Sequence, residues 1–182
     1  MARKPREDVE GAIQHVYARG NNRMPIFGDD RDRRTFLSLL AGVIRRTRWI
    51  CFAYCLMENH VHLLVETPEA NLGRGMQLLT SAYARTFNDR HERSGHVFQG
   101  RYGANRVTTD EQLLMTLAYI ANNPVEAGLC DDPGQWRWSS HGATCRADPP
   151  PWLGLERLQA LLPIDLWEMT PSGRDNFAPK GV

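Results

Sequence analysis

The fold of this chain is decided by the stretch Glu58-Asn59-His60-Val61-His62-Leu63-Leu64-Val65. It follows a long apolar run, Trp49-Ile50-Cys51-Phe52-Ala53-Tyr54-Cys55-Leu56-Met57, after a single polar break. Both segments are rich in aromatic and β-branched residues, so the sequence predicts two neighbouring strands joined by a tight turn. Because side chains alternate along a strand, His60 and His62 are expected on the same face.

Two imidazoles on one face of a strand can ligate a single divalent cation. The alternative for an isolated His-x-His pattern is a pair of surface histidines, or histidines satisfied by hydrogen bonds, with no metal. The pattern alone leaves both interpretations open.

Length and composition set the broad class of the protein. The chain has 182 residues, of which 42% are hydrophobic, which is enough for one core with little left for a second domain. No apolar run reaches about 18 residues, so no membrane span is expected, and no apolar signal segment follows the basic N-terminus. We therefore predict a cytoplasmic protein. Its four cysteines lack zinc-ligand spacing and are expected to be reduced.

Charge is distributed unevenly along the chain. The net charge is only +1, but residues 1–110 have a balance of +5 and residues 111–182 a balance of −4. The basic residues are nearly all arginine, the only lysines being Lys4 and Lys180. Arginine binds phosphate bidentately and stacks on bases, which suits a nucleic-acid ligand. Ordinary surface ion pairs explain the same bias equally well.

Periodicity and turn signals predict seven elements. They are a strand over 11–19, a helix from about 30 to 48, the two strands described above, a helix over 72–90, a strand over 100–107 and a helix over 113–123 that stops near Pro124. This order matches an α+β, ferredoxin-like split βαβ fold, one antiparallel sheet with helices on one face. The two internal strands are expected to be neighbours at the centre of the sheet, which would put the histidines mid-sheet beside the last helix.

The last predicted helix carries Tyr119 and Asn123, which are spaced i, i+4 and therefore face the same way, one turn apart. Residues 1–10 are predicted to be a flexible N-terminal arm, residues 11–145 a single domain and residues 146–182 a C-terminal extension with a short helix near 155–162. Trp136 and Trp138 are expected to pack against the core in preference to stacking on bases.

Five pieces of the sequence occur in a recognisable order. They are His60-Val61-His62, Tyr83-Ala84-Arg85-Thr86-Phe87-Asn88, Ser94-Gly95-His96-Val97-Phe98-Gln99-Gly100-Arg101-Tyr102, Tyr119-Ile120-Ala121-Asn122-Asn123-Pro124-Val125-Glu126-Ala127-Gly128-Leu129 and Trp138-Ser139-Ser140. Together they resemble the single-tyrosine HUH transposases, and within them the REP-associated tyrosine transposases. The resemblance covers roughly residues 10–145.

The resemblance implies a ferredoxin-like nuclease that cuts single-stranded DNA beside a hairpin and rejoins it through a 5′-phosphotyrosine. It implies that His60, His62 and Asn123 are metal ligands and that Tyr119 is the nucleophile. The implied cofactor is Mg²⁺ or Mn²⁺, and the implied partner is single-stranded DNA with a hairpin, bound by a monomer or a homodimer.

The implied residues suit this chemistry. A covalent phosphotyrosine splits strand transfer into two reversible steps and preserves the phosphodiester energy. A phenol has a pKa of about 10, so at neutral pH it needs a nearby base or positive charge. A divalent cation would polarise the scissile phosphate and orient it.

DNA contacts are less well specified by the sequence. Arg85, Arg93, Arg101 and Arg106 lie in the motif-bearing middle of the chain and are predicted to contact phosphates, with solvated surface charge as the alternative. Two other functions remain open. One is a hairpin-binding module that does not cleave, and the other is a metal-dependent nuclease that uses water as its nucleophile.

Overall fold

The structure, a computed structural model, describes residues 8–162 of the chain. Its strands and α-helices, in chain order, are β1 (Ala12–Arg19), α1 (Asp30–Thr47), β2 (Ile50–Leu56), β3 (His60–Thr67), α2 (Leu72–Arg90), β4 (Gly103–Val107), α3 (Asp110–Glu126), α4 (Ser140–Cys145) and α5 (Leu155–Leu161). The predicted order of the first seven elements is confirmed. None of the helices in this part of the chain is long and apolar enough to cross a membrane.

The four strands form one antiparallel sheet in the order β2-β3-β1-β4. This confirms the α+β, ferredoxin-like prediction, and β3 lies mid-sheet as expected. The expectation that β2 and β3 are both central is wrong, because β1 pairs with the other side of β3 and leaves β2 at the edge. That edge is covered by later residues: the Leu56 N–H donates to the Trp138 carbonyl oxygen at 2.9 Å, and the Gly154 N–H donates to the Cys51 carbonyl oxygen at 2.8 Å.

Helices cover both faces of the sheet. Val61, Leu63 and Val65 on β3 point to one face, where they share a core with the apolar residues of α1 and α2. Leu64 points to the other face and shares a second core with α3 and α5. The prediction of helices on one face therefore holds for α1 and α2 and is wrong for α3. The physical reason is that β2 and β3 are apolar on both faces and so need cover on both.

Helix α3 begins at a threonine cap and ends later than predicted. The Thr109 hydroxyl accepts a hydrogen bond from the Gln112 N–H at 3.1 Å, while the Gln112 side-chain oxygen accepts from the Thr108 N–H at 2.9 Å. The helix continues through Pro124 to Glu126. A proline near the last turn removes only one backbone donor, and the Ala127 N–H still donates to the Asn123 carbonyl oxygen at 3.0 Å.

The predicted flexible arm covers residues 1–10, and positions 1–7 of it lie outside the described residues. Its described part is attached to the domain, because the Asp8 carboxylate accepts a hydrogen bond from the Gly73 N–H at 3.1 Å. A carboxylate at this position also interacts favourably with the positive end of α2. Val9 is held as well, since its carbonyl oxygen accepts from the Thr67 hydroxyl at 3.3 Å.

The C-terminal extension is described as far as residue 162, and positions 163–182 lie outside the described residues. The short helix predicted near 155–162 is confirmed as α5, which packs Leu158 against the core under α3. Trp138 is buried, at 7% exposure, and the half-buried Trp136 packs on both cores. The prediction that both tryptophans support the core is confirmed.

Candidate functional site

The two predicted strand histidines lie together on the face of the sheet that α3 covers. The ring centroids of His60 and His62 are 4.9 Å apart and the rings are perpendicular. Their common orientation follows from strand alternation, as predicted. His62 is buried and His60 is half-buried.

Helix α3 brings the predicted tyrosine and amide to the same place. The Tyr119 ring lies 5.5 Å from the His62 ring, centroid to centroid. The Asn123 side chain lies close enough to His60 and His62 to affect the pKa of both, and its Nδ2 atom donates to the Tyr119 carbonyl oxygen at 2.8 Å. Tyr119 is 44% exposed and Asn123 only 7%. The phenol is therefore open to a large substrate, while the amide lies inside against the imidazoles.

Each of the two imidazoles is held through its Nδ1 atom. His60 Nδ1 lies 2.7 Å from the side-chain oxygen of Asn59, and His62 Nδ1 lies 2.9 Å from His15 Nε2. Because an amide oxygen can only accept, His60 must carry its proton on Nδ1, which leaves a lone pair on Nε2. His62 reaches the same state if its Nδ1–H donates to His15 Nε2. With these tautomers, both Nε2 atoms are available as ligands.

Sequence reasoning missed His15, which is 47 residues from His62 in the chain. His15 pairs with Leu64 in the register of β1 and β3, two residues along from the Tyr17–His62 pair, so it lies diagonally across from His62 on the same face. Its ring also lies 5.7 Å from that of Tyr119. Alternation along β1 predicts on which face of the sheet His15 lies. Only the register between β1 and β3 places His15 against His62.

Burial keeps the imidazoles of the site neutral. Burial, together with the charges that His60 and His15 would carry, lowers the pKa of His62 to about 3. Burial also lowers the pKa of His60 and that of His15. At neutral pH the three rings are therefore uncharged, the state in which an imidazole nitrogen can bind a cation.

A second tyrosine, which sequence reasoning did not place at the site, lies beside it. Tyr17 is 40% exposed, and its ring centroid lies 6.3 Å from that of His62. The ring lies over Gly103 on the neighbouring strand, where an added Cβ atom would be 2.1 Å from the phenol ring carbon Cζ. Only glycine at position 103 allows this placement.

Two of the other tyrosines have structural roles. Tyr54 and Tyr83 are buried in the core, and the Tyr83 hydroxyl donates to the Ile26 carbonyl oxygen at 2.5 Å. Burial raises the pKa of both phenols, which disfavours their ionisation. Among the tyrosines in described strands and helices, only Tyr119 and Tyr17 are exposed beside the histidines.

The side chains of the site suit a divalent cation, because they combine imidazole nitrogens with an amide group. Within residues 8–162, no group of three or more histidine, cysteine or acidic side chains is arranged to hold a metal ion. The third histidine, His15, is already engaged with His62 and does not complete such a set. The donors available are thus two imidazoles and the Asn123 amide, which leave coordination positions open for phosphate oxygens and water.

The predicted DNA-contacting arginines are all exposed but lie on different parts of the molecule. Arg93 follows α2 in the loop beside the end of β1, and Arg101 lies two residues before Gly103, the strand partner of Tyr17. Arg85 lies on α2, across the sheet from the histidines. Arg106 pairs with Gln14, and so points to the α1–α2 face. The fold thus brings two of the four arginines to the histidine end of the sheet.

Comparisons with known proteins agree with this arrangement. Residues 8–123 match the family model described as IS200-like transposase. A protein of Haemophilus influenzae named for the REP-associated tyrosine transposases is 27% identical over 118 residues, covering 56% of this chain and 65% of that protein. The match thus spans just under two thirds of the length of this curated relative.

Two solved structures are similar in fold. A REP-associated tyrosine transposase bound to a REP hairpin has a TM-score of 0.67 and 16% identity, covering 82% of this chain and 89% of the other. A Deinococcus radiodurans protein described as a transposase has a TM-score of 0.46 and 19% identity, covering 66% of this chain and 97% of the other. The family match extends over more than half of the chain, from Asp8 to the predicted ligand Asn123. The chain belongs to the family of IS200-like transposases.

Proposed function

We propose that this protein is a metal-dependent single-strand DNA endonuclease and strand transferase that acts at hairpin-forming repeats. The observation that carries the proposal is the convergence of an exposed Tyr119 and a buried Asn123 on the His60–His62 pair. Family membership supports a transposase. The similar structure whose title names a REP hairpin supports the choice of a hairpin substrate.

The proposed reaction uses Tyr119 as the nucleophile. Its oxygen attacks the phosphorus of the scissile phosphodiester and loses its proton, while the bond from phosphorus to the 3′ oxygen breaks. That oxygen leaves with a proton as a 3′-hydroxyl, and the 5′ phosphate remains on the tyrosine. Attack by a 3′-hydroxyl on this phosphotyrosine reverses the step and joins strands, with no need for ATP.

His60, His62 and Asn123 are the proposed ligands of a Mg²⁺ or Mn²⁺ ion. A bound cation would polarise the scissile phosphate and offset the charge that develops in the transition state. Asn59 and His15 keep the two imidazoles in the tautomer that presents Nε2, and so act on the ligands and not on the substrate. Asn123 also ties the site to the nucleophile, because its amide bonds the backbone of Tyr119.

The DNA strand would approach from the exposed side of Tyr119. Arg93 and Arg101 lie at the histidine end of the sheet and are proposed to contact phosphates there. Arg85 and Arg106 would contact the same DNA only if it also reaches the α1–α2 side of the molecule. DNA as substrate would place the protein in the cytoplasm with the nucleoid, acting as a monomer or a homodimer.

The first test is a covalent-adduct assay with labelled hairpin DNA from repeats beside the protein's own gene, run on denaturing gels with Mn²⁺ or Mg²⁺. We expect a protein-linked DNA band that disappears with EDTA and in Tyr119→Phe. Tyr17→Phe is the matched control, because it removes the hydroxyl of the other exposed tyrosine at the site and should keep the band.

The other outcomes separate the alternatives. Loss of the adduct in Tyr17→Phe alone would identify Tyr17, and not Tyr119, as the nucleophile. Cleavage that survives both substitutions without an adduct would favour water as the nucleophile. Binding without cleavage under either metal, across several hairpins, would favour a hairpin-binding module.

A further inference from the structure

The last residue of β1 places an arginine beside the proposed catalytic site. Arg19 is the strand partner of His60, in the same register that sets Tyr17 opposite His62. Ala18, the residue before it, is buried in the core under α1 and α2. Because side chains alternate along a strand, Arg19 points to the opposite face, which is the face of the histidines. Sequence reasoning did not select Arg19 as a contact of the substrate.

Arg19 and His60 are close enough to interact electrostatically. Directly opposed side chains in an antiparallel pair have Cβ atoms about 4.5–5.5 Å apart. Burial lowers the pKa of His60, and the positive charge of Arg19 acts in the same direction. The guanidinium of Arg19 therefore belongs to the electrostatic surroundings of the proposed ligands.

Arg19 has no acidic partner within residues 8–162. The ion pairs of this part of the chain are formed by other basic residues, namely Arg33, Arg48, Arg90, His91, Arg137 and Arg157. A guanidinium remains protonated at any physiological pH. Since Arg19 is also exposed, it presents a permanent cation to the open side of the site.

Hydrogen bonds fix the backbone on both sides of Arg19. Its carbonyl oxygen accepts from the Gln99 N–H at 2.9 Å, and the N–H of the next residue, Gly20, donates to the Asn59 carbonyl oxygen at 2.8 Å. Position 20 requires glycine, because a Cβ atom there would lie 2.0 Å from the Met24 carbonyl oxygen. The base of the Arg19 side chain is thus held in place, so a contact made by its guanidinium costs less conformational entropy.

The described side chains that converge at the site include no carboxylate. The proposed ligands are two imidazoles and an amide, and the exposed groups beside them are the phenols of Tyr119 and Tyr17. A fixed cation among uncharged groups attracts an anion, and the attraction strengthens as water is excluded. In the proposed reaction, the anion that reaches this place is the scissile phosphate.

From this placement we infer that Arg19 is a catalytic residue, which binds a non-bridging oxygen of the scissile phosphate and stabilises its charge while Tyr119 attacks. The inference rests on the proposed function, because it adds a residue to the same reaction. The bond from the Tyr119 oxygen to phosphorus forms and the bond from phosphorus to the 3′ oxygen breaks, and Arg19 keeps its proton throughout. Its planar guanidinium can donate two hydrogen bonds to phosphate oxygens.

This role differs from that of an arginine on a DNA-binding surface. Arg93 and Arg101 are proposed to hold phosphates other than the reacting one, and such contacts stabilise bound substrate and transition state alike. Arg19 contacts the phosphate whose charge distribution changes during the reaction. Its removal should therefore slow the chemical step more than it weakens DNA binding.

The test is single-turnover kinetics of adduct formation, at the cleavage position mapped with wild type. Arg19→Ala removes the guanidinium, and Arg19→Lys keeps the charge without the planar group. Arg34→Ala is the matched control, because it removes an exposed arginine from α1 on the far face of the sheet. The labelled hairpin carries either the normal scissile phosphate or one diastereomer of a methylphosphonate, in which a neutral methyl group replaces one charged oxygen.

On the normal phosphate, we expect Arg19→Ala to slow adduct formation about 100-fold, as when one transition-state donor is removed. Arg19→Lys should slow it less. On one methylphosphonate diastereomer, Arg19→Ala and wild type should react at rates within about threefold of each other, because the charge that Arg19 stabilises is absent. Arg34→Ala should match wild type on all three substrates.

Two measurements without turnover separate this role from an indirect one. Affinity for the normal hairpin, measured by fluorescence anisotropy in EDTA, should fall less than about 10-fold in Arg19→Ala, since one phosphate contact among several is lost. Mn²⁺ affinity without DNA should be unchanged or higher, because the charge beside His60 opposes a second cation. Circular dichroism checks that each variant is folded.

The failure of this inference differs from the failure of the proposed function. If wild type forms the adduct and Arg19→Ala forms it equally fast, or is equally impaired on all three substrates, Arg19 does not bind the scissile phosphate. A loss of DNA affinity as large as the loss of rate would make Arg19 an ordinary phosphate contact. A comparable loss of Mn²⁺ affinity would show that it acts through the ligands, and either result overturns the inference. If wild type forms no adduct, the proposed function itself fails and this inference falls with it.

Discussion

At the scale of single residues, the site depends on side chains that touch no substrate in the proposed reaction. Asn59 and His15 each hold the Nδ1 atom of one histidine, and both contacts are shorter than 3 Å. An imidazole that rotates freely, or that protonates Nε2, is a poor ligand. The proposed metal binding by the two strand histidines therefore depends on Asn59 and His15, which lie outside the His-x-His pattern.

His15→Ala should weaken Mn²⁺ binding about 10- to 100-fold, because His62 then loses the partner that orients its ring. His15→Gln should restore part of the affinity, since its side-chain oxygen can accept from His62 Nδ1. The measurement is electron paramagnetic resonance of free Mn²⁺ in titrations without DNA.

Tyr17→Phe is the control for this prediction, because Tyr17 lies on the same strand and face as His15 and has no hydrogen bond to any of the three proposed ligands among the described contacts. Circular dichroism must show that each variant is folded. Unchanged Mn²⁺ affinity in a folded His15→Ala variant would show that His15 does not position His62.

At the scale of elements, α3 carries two functions on one helix. One face packs Leu113, Leu117 and Ile120 on the sheet, and the last turns bring Tyr119 and Asn123 to the histidines. The position of the nucleophile thus depends on apolar contacts up to two turns away. The helix is anchored at its start by the Thr109 cap as well.

Leu113→Ala should lower the free energy of unfolding by about 2–5 kcal/mol, because Leu113 is 2% exposed and its truncation leaves a cavity under α3. Met115→Ala on the same helix should change stability by less than about 0.5 kcal/mol, since Met115 is 55% exposed. Urea denaturation followed by circular dichroism compares the two. Equal changes in the free energy of unfolding for the two variants would contradict the packing of α3 on the sheet.

At the scale of the whole molecule, the sheet separates two environments. One face is a closed apolar core under α1 and α2, and the other combines an apolar patch under α3 with a group of buried imidazoles. Neutral buried histidines link the stability of the fold to pH. This property belongs to the complete sheet and both helical layers, because no single element buries the rings.

The free energy of unfolding should fall as the pH drops from 7 to 5.5 in the presence of EDTA. The pKa of His62 is about 3 in the folded protein and 6.5 in the reference state, so the unfolded chain binds more protons in this range. His62 alone should account for a loss of about 1 kcal/mol. His15, His60 and His141 shift in the same direction and add to the loss.

His62→Gln isolates the contribution of His62 in the same urea experiment at the two pH values. The difference between pH 7 and 5.5 should be smaller in this variant than in wild type. Carboxylates contribute little in this range because their unshifted pKa values lie near 4. An equal difference in both proteins would contradict the assignment of a neutral, buried His62.

Local patterns in the sequence were sufficient for much of the fold. Alternation placed His60 and His62 on one face, and helical spacing placed Tyr119 and Asn123 one turn apart, because both depend only on neighbours along the chain. The element order was also predictable, since apolar periodicity and turn residues mark each segment. The family motifs added the proposed roles of these residues.

Only the tertiary structure decided how the local patterns meet. The face of the sheet that α3 covers, the edge position of β2 and the contact of His15 with His62 all depend on strand register and on burial summed over the whole sheet. The same long-range packing separated Arg85 from the histidines and joined residues 21–25 to residues 93–97 around a cleft. Such contacts connect residues far apart in the chain, so short-range periodicity cannot encode them.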